Sequence, residues 1–155
     1  MIDFLKILKT LTEAEVDFVL VGALSAAIQG AQVSTFDVDI VHGRSEDNLL
    51  RLESALESMN AHFRGHDDLT PTVEHLRTPG HQLLMTDYGP LDVLGTIEEG
   101  LDYPSLASDA RVISMNSFDV QVLRLSDYLR IRKAHPRARD HARFPILEAA
   151  LQEEE

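Results

Sequence analysis

The sequence predicts a mixed α/β (α+β) domain with a helical C-terminal end. Two observations predict it. Short apolar runs rich in β-branched and aromatic residues, such as Phe18-Val19-Leu20-Val21 and Leu91-Asp92-Val93-Leu94, alternate with stretches whose apolar residues recur at helical spacing. Beyond about residue 123 only helical patterns remain. The 155 residues fit one domain, 1–155, with a core over about 16–123 and a helical segment over about 124–151.

Taken in order, residues 2–14 read as an amphipathic helix with Phe4 or Leu5, Leu8 and Leu11 on one face. Val16 to Val21 is a buried strand. Ala23 to Gln29 is an alanine-rich short helix, which Gly30 ends as the residue after its cap. Thr35 to Val41 alternates and reads as a second strand. Ser45 is an N-cap followed by Glu46 and Asp47, acids that a helix N-terminus favours, and the helix carries Leu49, Leu52 or Leu50, Leu56 and Met59. Short strands are expected at 61–64, 72–77 and 81–86, then a turn at Gly89-Pro90 and a strand at 91–94. Tyr103 to Ala110 reads as a short helix, and 111–115 with 118–122 as a small hairpin. Ser126 is expected to cap a helix over 127–135, where Pro136 interrupts. A last helix runs from about 139 to 151, with Pro145 tolerated near a start or a kink. The tail from Gln152 is expected to fray.

Hydrophobic residues are 44% of the chain and charged residues 26%, which is globular composition rather than disorder. No apolar run has the length of a membrane span, and the N-terminus lacks the pattern of a secretory signal. The absence of cysteine excludes disulfides, thiolate metal sites and a cysteine nucleophile, and suits a reducing cytoplasm, the expected location. A formal net charge of −12 makes a broad nucleic-acid surface a poor expectation, because phosphate contacts need cations. The charge is uneven, however. Seven of the fourteen Lys and Arg lie between Arg124 and Arg143, against only Asp127 and Asp140. That stretch is either a focused anion site or a solvated face paired with the acidic bulk.

Two features carry chemistry. Asp37 and Asp39 stand two apart on an expected strand, so their carboxylates share a face while Val38 and Ile40 turn to the core. Paired carboxylates repel unless a cation or solvent neutralises them, and Mg²⁺ takes such oxygen ligands while leaving room for substrate phosphates. Fifteen residues before Asp37, the apolar strand ends in Gly22-Ala23 and a helix follows at once, with Ser25 in its first turn. A glycine there lets a phosphate approach the backbone.

The stretch Val19-Leu20-Val21-Gly22 … Gly30-x-x-x-x-Thr35-x-Asp37-Val38-Asp39-Ile40 resembles the nucleotidyltransferase superfamily related to DNA polymerase beta. It is closer still to bacterial nucleotidyltransferase-like proteins, which include toxin–antitoxin and abortive-infection members. Asp92, in an apolar strand after Gly89-Pro90, matches that family's third carboxylate, and Arg137-Ala138-Arg139-Asp140 resembles its R-x-K-D end. The resemblance runs from about Val16 to Asp140. It implies a twisted mixed sheet flanked by helices and a two-metal transfer of a nucleotide from an NTP to an acceptor hydroxyl on RNA, protein or a small molecule. It implies Asp37, Asp39 and Asp92 as the catalytic set and ligands of Mg²⁺. Gly22, Ala23 and Ser25 would hold the β/γ-phosphates, and Arg132, Lys133 or Arg137 would neutralise the triphosphate.

The chain departs from the pattern at Ala23, where relatives have Gly or Ser, and at Val33, where close relatives carry a basic residue. These departures support a second expectation: a catalytically weakened binding module with a partner protein, as in a toxin–antitoxin pair. Asp37-x-Asp39-x-Val41 also fits the nucleophile motif of haloacid-dehalogenase phosphatases, but the long apolar strand that should precede it is replaced by Gln32-Val33-Ser34-Thr35. His62 and His66 with Asp67 and Asp68 read as a solvated loop around Gly65 rather than a metal site.

Overall fold

The computed structural model describes residues 2–154. Its frame is a seven-stranded sheet in the order β3-β4-β5-β2-β1-β7-β6. The centre is β1 (Phe18–Val21), which is buried on both faces, as its uninterrupted apolar run requires. It pairs antiparallel with β2 (Val38–His42) and parallel with β7 (Asp119–Val122). On the far side of β2 lies β5 (Gly89–Leu94), parallel to it, followed by the antiparallel β4 (His81–Thr86) and the two-residue β3 (His62–Phe63). At the other edge β6 (Arg111–Ser114) and β7 form the expected hairpin.

The period of two along each strand divides the interior into two cores. Phe18 and Leu20 of β1, Val38 and Ile40 of β2, and Leu91 and Val93 of β5 pack on one face with α1 (Phe4–Glu13) and α3 (Glu46–Ser58). Val19 and Val21, Val41 and Leu94 pack on the other with α2 (Gly22–Ile28), α5 (Tyr103–Ala107), α6 (Leu125–Ala134) and α7 (Asp140–Glu153). Asp39 and Asp92 fall on this second face by the same alternation.

Most expected elements appear with trimmed ends, and the caps at Ser45 and Gly30 are present. The open choices resolve by burial: Leu52 is buried while Leu50 and Leu5 are exposed. Five expectations are corrected. The second strand begins at Val38, so Asp37 sits in a bend just before it. The 72–77 segment is a helical turn, α4 (Val73–Leu76), with a capping box between Thr72 and His75. A helical turn places Val73 and Leu76 against the first core together, which a strand would not. The turn before β5 is at Asp87-Tyr88, and Gly89-Pro90 belongs to the strand. Ser126 caps nothing: α6 starts at Leu125, whose N–H donates to the Gln29 side chain 3.1 Å away, a tertiary cap. The tail does not fray at Gln152; α7 continues to Glu153, and Glu154 pairs with Arg111 at 3.0 Å. Among the described residues, no helix is long and apolar enough to cross a membrane.

Candidate active site

Two pairings bring the acidic residues together. In the parallel β2–β5 ladder Asp39 lies directly opposite Asp92, and in the antiparallel β1–β2 ladder it lies opposite Val21, one residue before Gly22. Asp37, in the bend, turns its carboxylate to the same place. One oxygen from each of Asp37, Asp39 and Asp92 lies within 4.8 Å of the other two. The three residues expected as a set lie together in the structure.

Gly22 is part of the same packing. Its φ is +72°, where side chains are strained, and a Cβ built on it would stand 2.9 Å from Asp39 Cγ and closer to the carboxylate oxygen. Glycine is needed here because the Asp39 side chain lies against its α-carbon.

The carboxylates are electrostatically costly. Burial, then the hydrogen bond and charge of Asp92, push the Asp39 carboxyl up to about 8. Burial and the Asp92 charge also raise Asp37, while Arg64 and Arg139 pull it back. The nearest compensating cation is Arg64, whose Nη2 lies 2.5 Å from Asp92 Oδ1.

The three carboxylates line a cavity of about 570 Å³, within the range of small-molecule sites. Gly22 and Ala23 lie at its edge, and Arg132, Arg137, Arg139 and Arg143 line it from the C-terminal helices and the segment joining them. Phe36, 71% exposed, stands at the cavity beside Asp37. Arg132 is 3% exposed and is held by Glu98 and by Asp140, 3.6 Å away. Asp140 also accepts the Arg137 backbone N–H at 2.8 Å and faces its Nε at 3.4 Å. Burial works to raise the Asp140 carboxyl, but the hydrogen bonds and charge of Arg137, with Arg132, outweigh it and hold it low. The Arg137-Ala138-Arg139-Asp140 motif is therefore a built corner: its aspartate anchors one cavity arginine and positions another.

Two candidates stand elsewhere. Ser25 is fully buried and its hydroxyl donates to the Gly22 carbonyl at 2.6 Å, closing the first turn of α2 rather than facing the cavity. Lys133 points away from the cavity and pairs with Glu148 of α7. Sequence reasoning missed Arg64 altogether, and no local signal could have found it. It comes from the turn after β3, 28 residues from Asp92, and only the β3–β4–β5 pairing brings it there. Arg143 was within the basic stretch but outside the motif; it donates to the Ser34 carbonyl at 2.9 Å.

The donor set fits a hard divalent ion. Three carboxylates converge from two adjacent strands and the bend before one of them, repel one another and open on a cavity, which is the chemistry such an ion neutralises.

No family model matches the sequence, and no curated protein does. Solved structures do. A Thermotoga maritima protein provisionally assigned as a nucleotidyltransferase is 20% identical with a TM-score of 0.58, covering 99% of this chain and 96% of its own. The lincosamide antibiotic adenylyltransferase LnuA, solved with lincomycin, is 13% identical with a TM-score of 0.65 over 94% of each chain. ANT(2″)-Ia, solved with adenylyl-2″-tobramycin, is 13% identical with a TM-score of 0.56, covering 94% of this chain and 86% of its own. At these identities the likeness shows the fold: the chain has the nucleotidyltransferase fold.

Proposed function

We propose that this chain, folded as a nucleotidyltransferase, is a Mg²⁺-dependent enzyme that moves a nucleotide from an NTP to the hydroxyl of a small molecule. The convergence of Asp37, Asp39 and Asp92 within 4.8 Å beside Gly22 carries the reading. Asp37 and Asp39 would hold Mg²⁺ against the triphosphate, with Asp92 as the ligand for a second ion. Bound there, Mg²⁺ supplies neutralisation of phosphate charge and acidifies the acceptor hydroxyl. The chain's own residues do the rest. Gly22 and Ala23 offer the phosphates backbone rather than bulk. The α2 helix has seven residues, so its dipole is small, and Arg137, Arg139 and Arg143 carry most of the positive charge facing the triphosphate. Asp92 would take the acceptor's proton as the new P–O bond forms and the bond to pyrophosphate breaks.

The small-molecule acceptor is supported by the chain's net charge of −12, which disfavours RNA, and by the cavity's size. Two structural neighbours were solved with an antibiotic or an adenylylated antibiotic. The weakened-module reading rests on Ala23 and Val33. Val33 packs against the second core, and Arg139 and Arg143 bring cations to the cavity beside Ser34 and Thr35, close to where relatives carry the missing base. The test is incubation with Mg²⁺, α-labelled NTPs and a metabolite extract, against RNA and protein fractions, with Asp39→Asn as the control. Labelled small-molecule product that the variant fails to make by about a thousandfold supports the proposal. No product, or equal product from the variant, ends it.

A further inference from the structure

Arg64 is not explained by the reaction. Its Nη2 donates to Asp92 Oδ1 at 2.5 Å and to the Leu84 carbonyl at 3.0 Å, while its Nε is buried without a hydrogen-bond partner. A guanidinium has five donors, and an unmet buried N–H costs free energy. The side chain is thus held largely by one carboxylate, not by a complete set of bonds. Its backbone is anchored independently: the Arg64 N–H donates to the Leu83 carbonyl at 3.0 Å, continuing the β3–β4 ladder. About a third of the side chain is exposed, so it has a path to solvent. The guanidinium could leave Asp92 without moving the strand.

Resting on the metal reading above, we propose that Arg64 is an internal cation that competes with a divalent ion for Asp92. Arg64 occupies part of the acceptor capacity of Asp92 Oδ1 that an ion would use, and a positive charge beside the cluster repels an incoming divalent ion even when it binds only Asp37 and Asp39. Arg64 therefore holds Asp92 aimed at the cluster in the resting protein and gives it up when a metal binds. It is a positioning residue that sets how tightly the site takes metal.

The experiment is direct Mn²⁺ binding to the whole chain, followed by electron paramagnetic resonance of the free ion, with no nucleotide present. Arg64→Gln is expected to bind Mn²⁺ about tenfold more tightly, and Arg64→Lys, which keeps the charge, within about twofold of the unsubstituted protein. A residue that merely props Asp92 gives the opposite sign, so equal or weaker binding by Arg64→Gln overturns the inference. The unsubstituted protein offers a second measurement should that variant fail to fold. Saturating Mg²⁺ is expected to shift the Arg64 Nε–H resonance, identified by its loss in Arg64→Lys, and an unmoved resonance overturns the inference as well. Asp39→Asn separates the two proposals. Undiminished Mn²⁺ binding by that variant overturns the metal reading and this one with it, whereas an Asp39-dependent site indifferent to Arg64 overturns this one alone.

Discussion

The cavity has two charged walls built on opposite terms. On the sheet, three carboxylates crowd within 4.8 Å with Arg64 as their one side-chain ion-pair partner among the described residues, and the Asp39 carboxyl is driven up to about 8. On the C-terminal side, Arg132 and Arg137 are met by acids of the surrounding structure, Glu98 and Asp140. The first wall is a cost to the fold unless a cation binds; the second is partly met by acids of its own, although Arg132 Nη1 is buried without a hydrogen-bond partner. Charge at a cavity is therefore a weak sign of function, and charge that destabilises its own fold is a stronger one. By this measure the carboxylates are the better candidates for the proposed chemistry, and the buried Arg132–Asp140 pair belongs to the scaffold that carries Arg137.

Removing charge should have opposite signs on the two walls. The largest effect belongs to Arg132→Met. It keeps the volume but takes the buried cation from Glu98 and leaves Asp140 with Arg137 alone, and should cost about 3–5 kcal/mol in urea denaturation. A loss below about 1 kcal/mol would erase the contrast. Gly22→Ala comes next, at about 2–5 kcal/mol, since it meets both a positive φ and the Asp39 side chain. The same loss should appear at pH 5 and pH 8, because the clash is steric.

Asp39→Asn should instead stabilise the metal-free protein. The folded carboxyl, at about 8, lies above its ordinary value of 3.8, so the native state holds a proton that the unfolded chain releases. That stabilisation is complete below about pH 4, falls as pH rises, and is gone above about pH 8. In EDTA, the variant should gain about 2–4 kcal/mol on the parent between pH 4 and pH 8. Parallel pH profiles for the two proteins would refute this. The smallest effect is at Lys133. Its pair with Glu148 is exposed, so Lys133→Ala should change stability by less than about 0.5 kcal/mol and leave the proposed nucleotide transfer unaltered.

Local pattern determined much of this protein. Uninterrupted apolar residues in Phe18–Val21 require a central strand, and the Val38/Ile40 alternation forces Asp39 to the opposite face. Gly22 and Asp39 could be read in advance because strand ends and strand faces have short sequence periods; Asp92 entered through the family resemblance, and Asp37 was read on a strand that begins one residue later. What lay beyond that range was settled by pairing between distant segments. Ser25 had the right position for a phosphate ligand, but the turn it closes bends its hydroxyl back to Gly22. Lys133 and Arg132 are neighbours in sequence, yet successive helical residues point about 100° apart, so one reaches Glu148 and the other lines the cavity. Leu125 takes its cap from Gln29, 96 residues away, where sequence offered Ser126. Arg64 meets Asp92 only because β4 lies between their strands in register. The sequence by itself determined that a glycine ends the central strand and that Asp39 and Asp92 face away from their apolar neighbours. The tertiary structure alone decided which cations would face them, because a long side chain's partner is fixed by where other segments pack and not by its own neighbours.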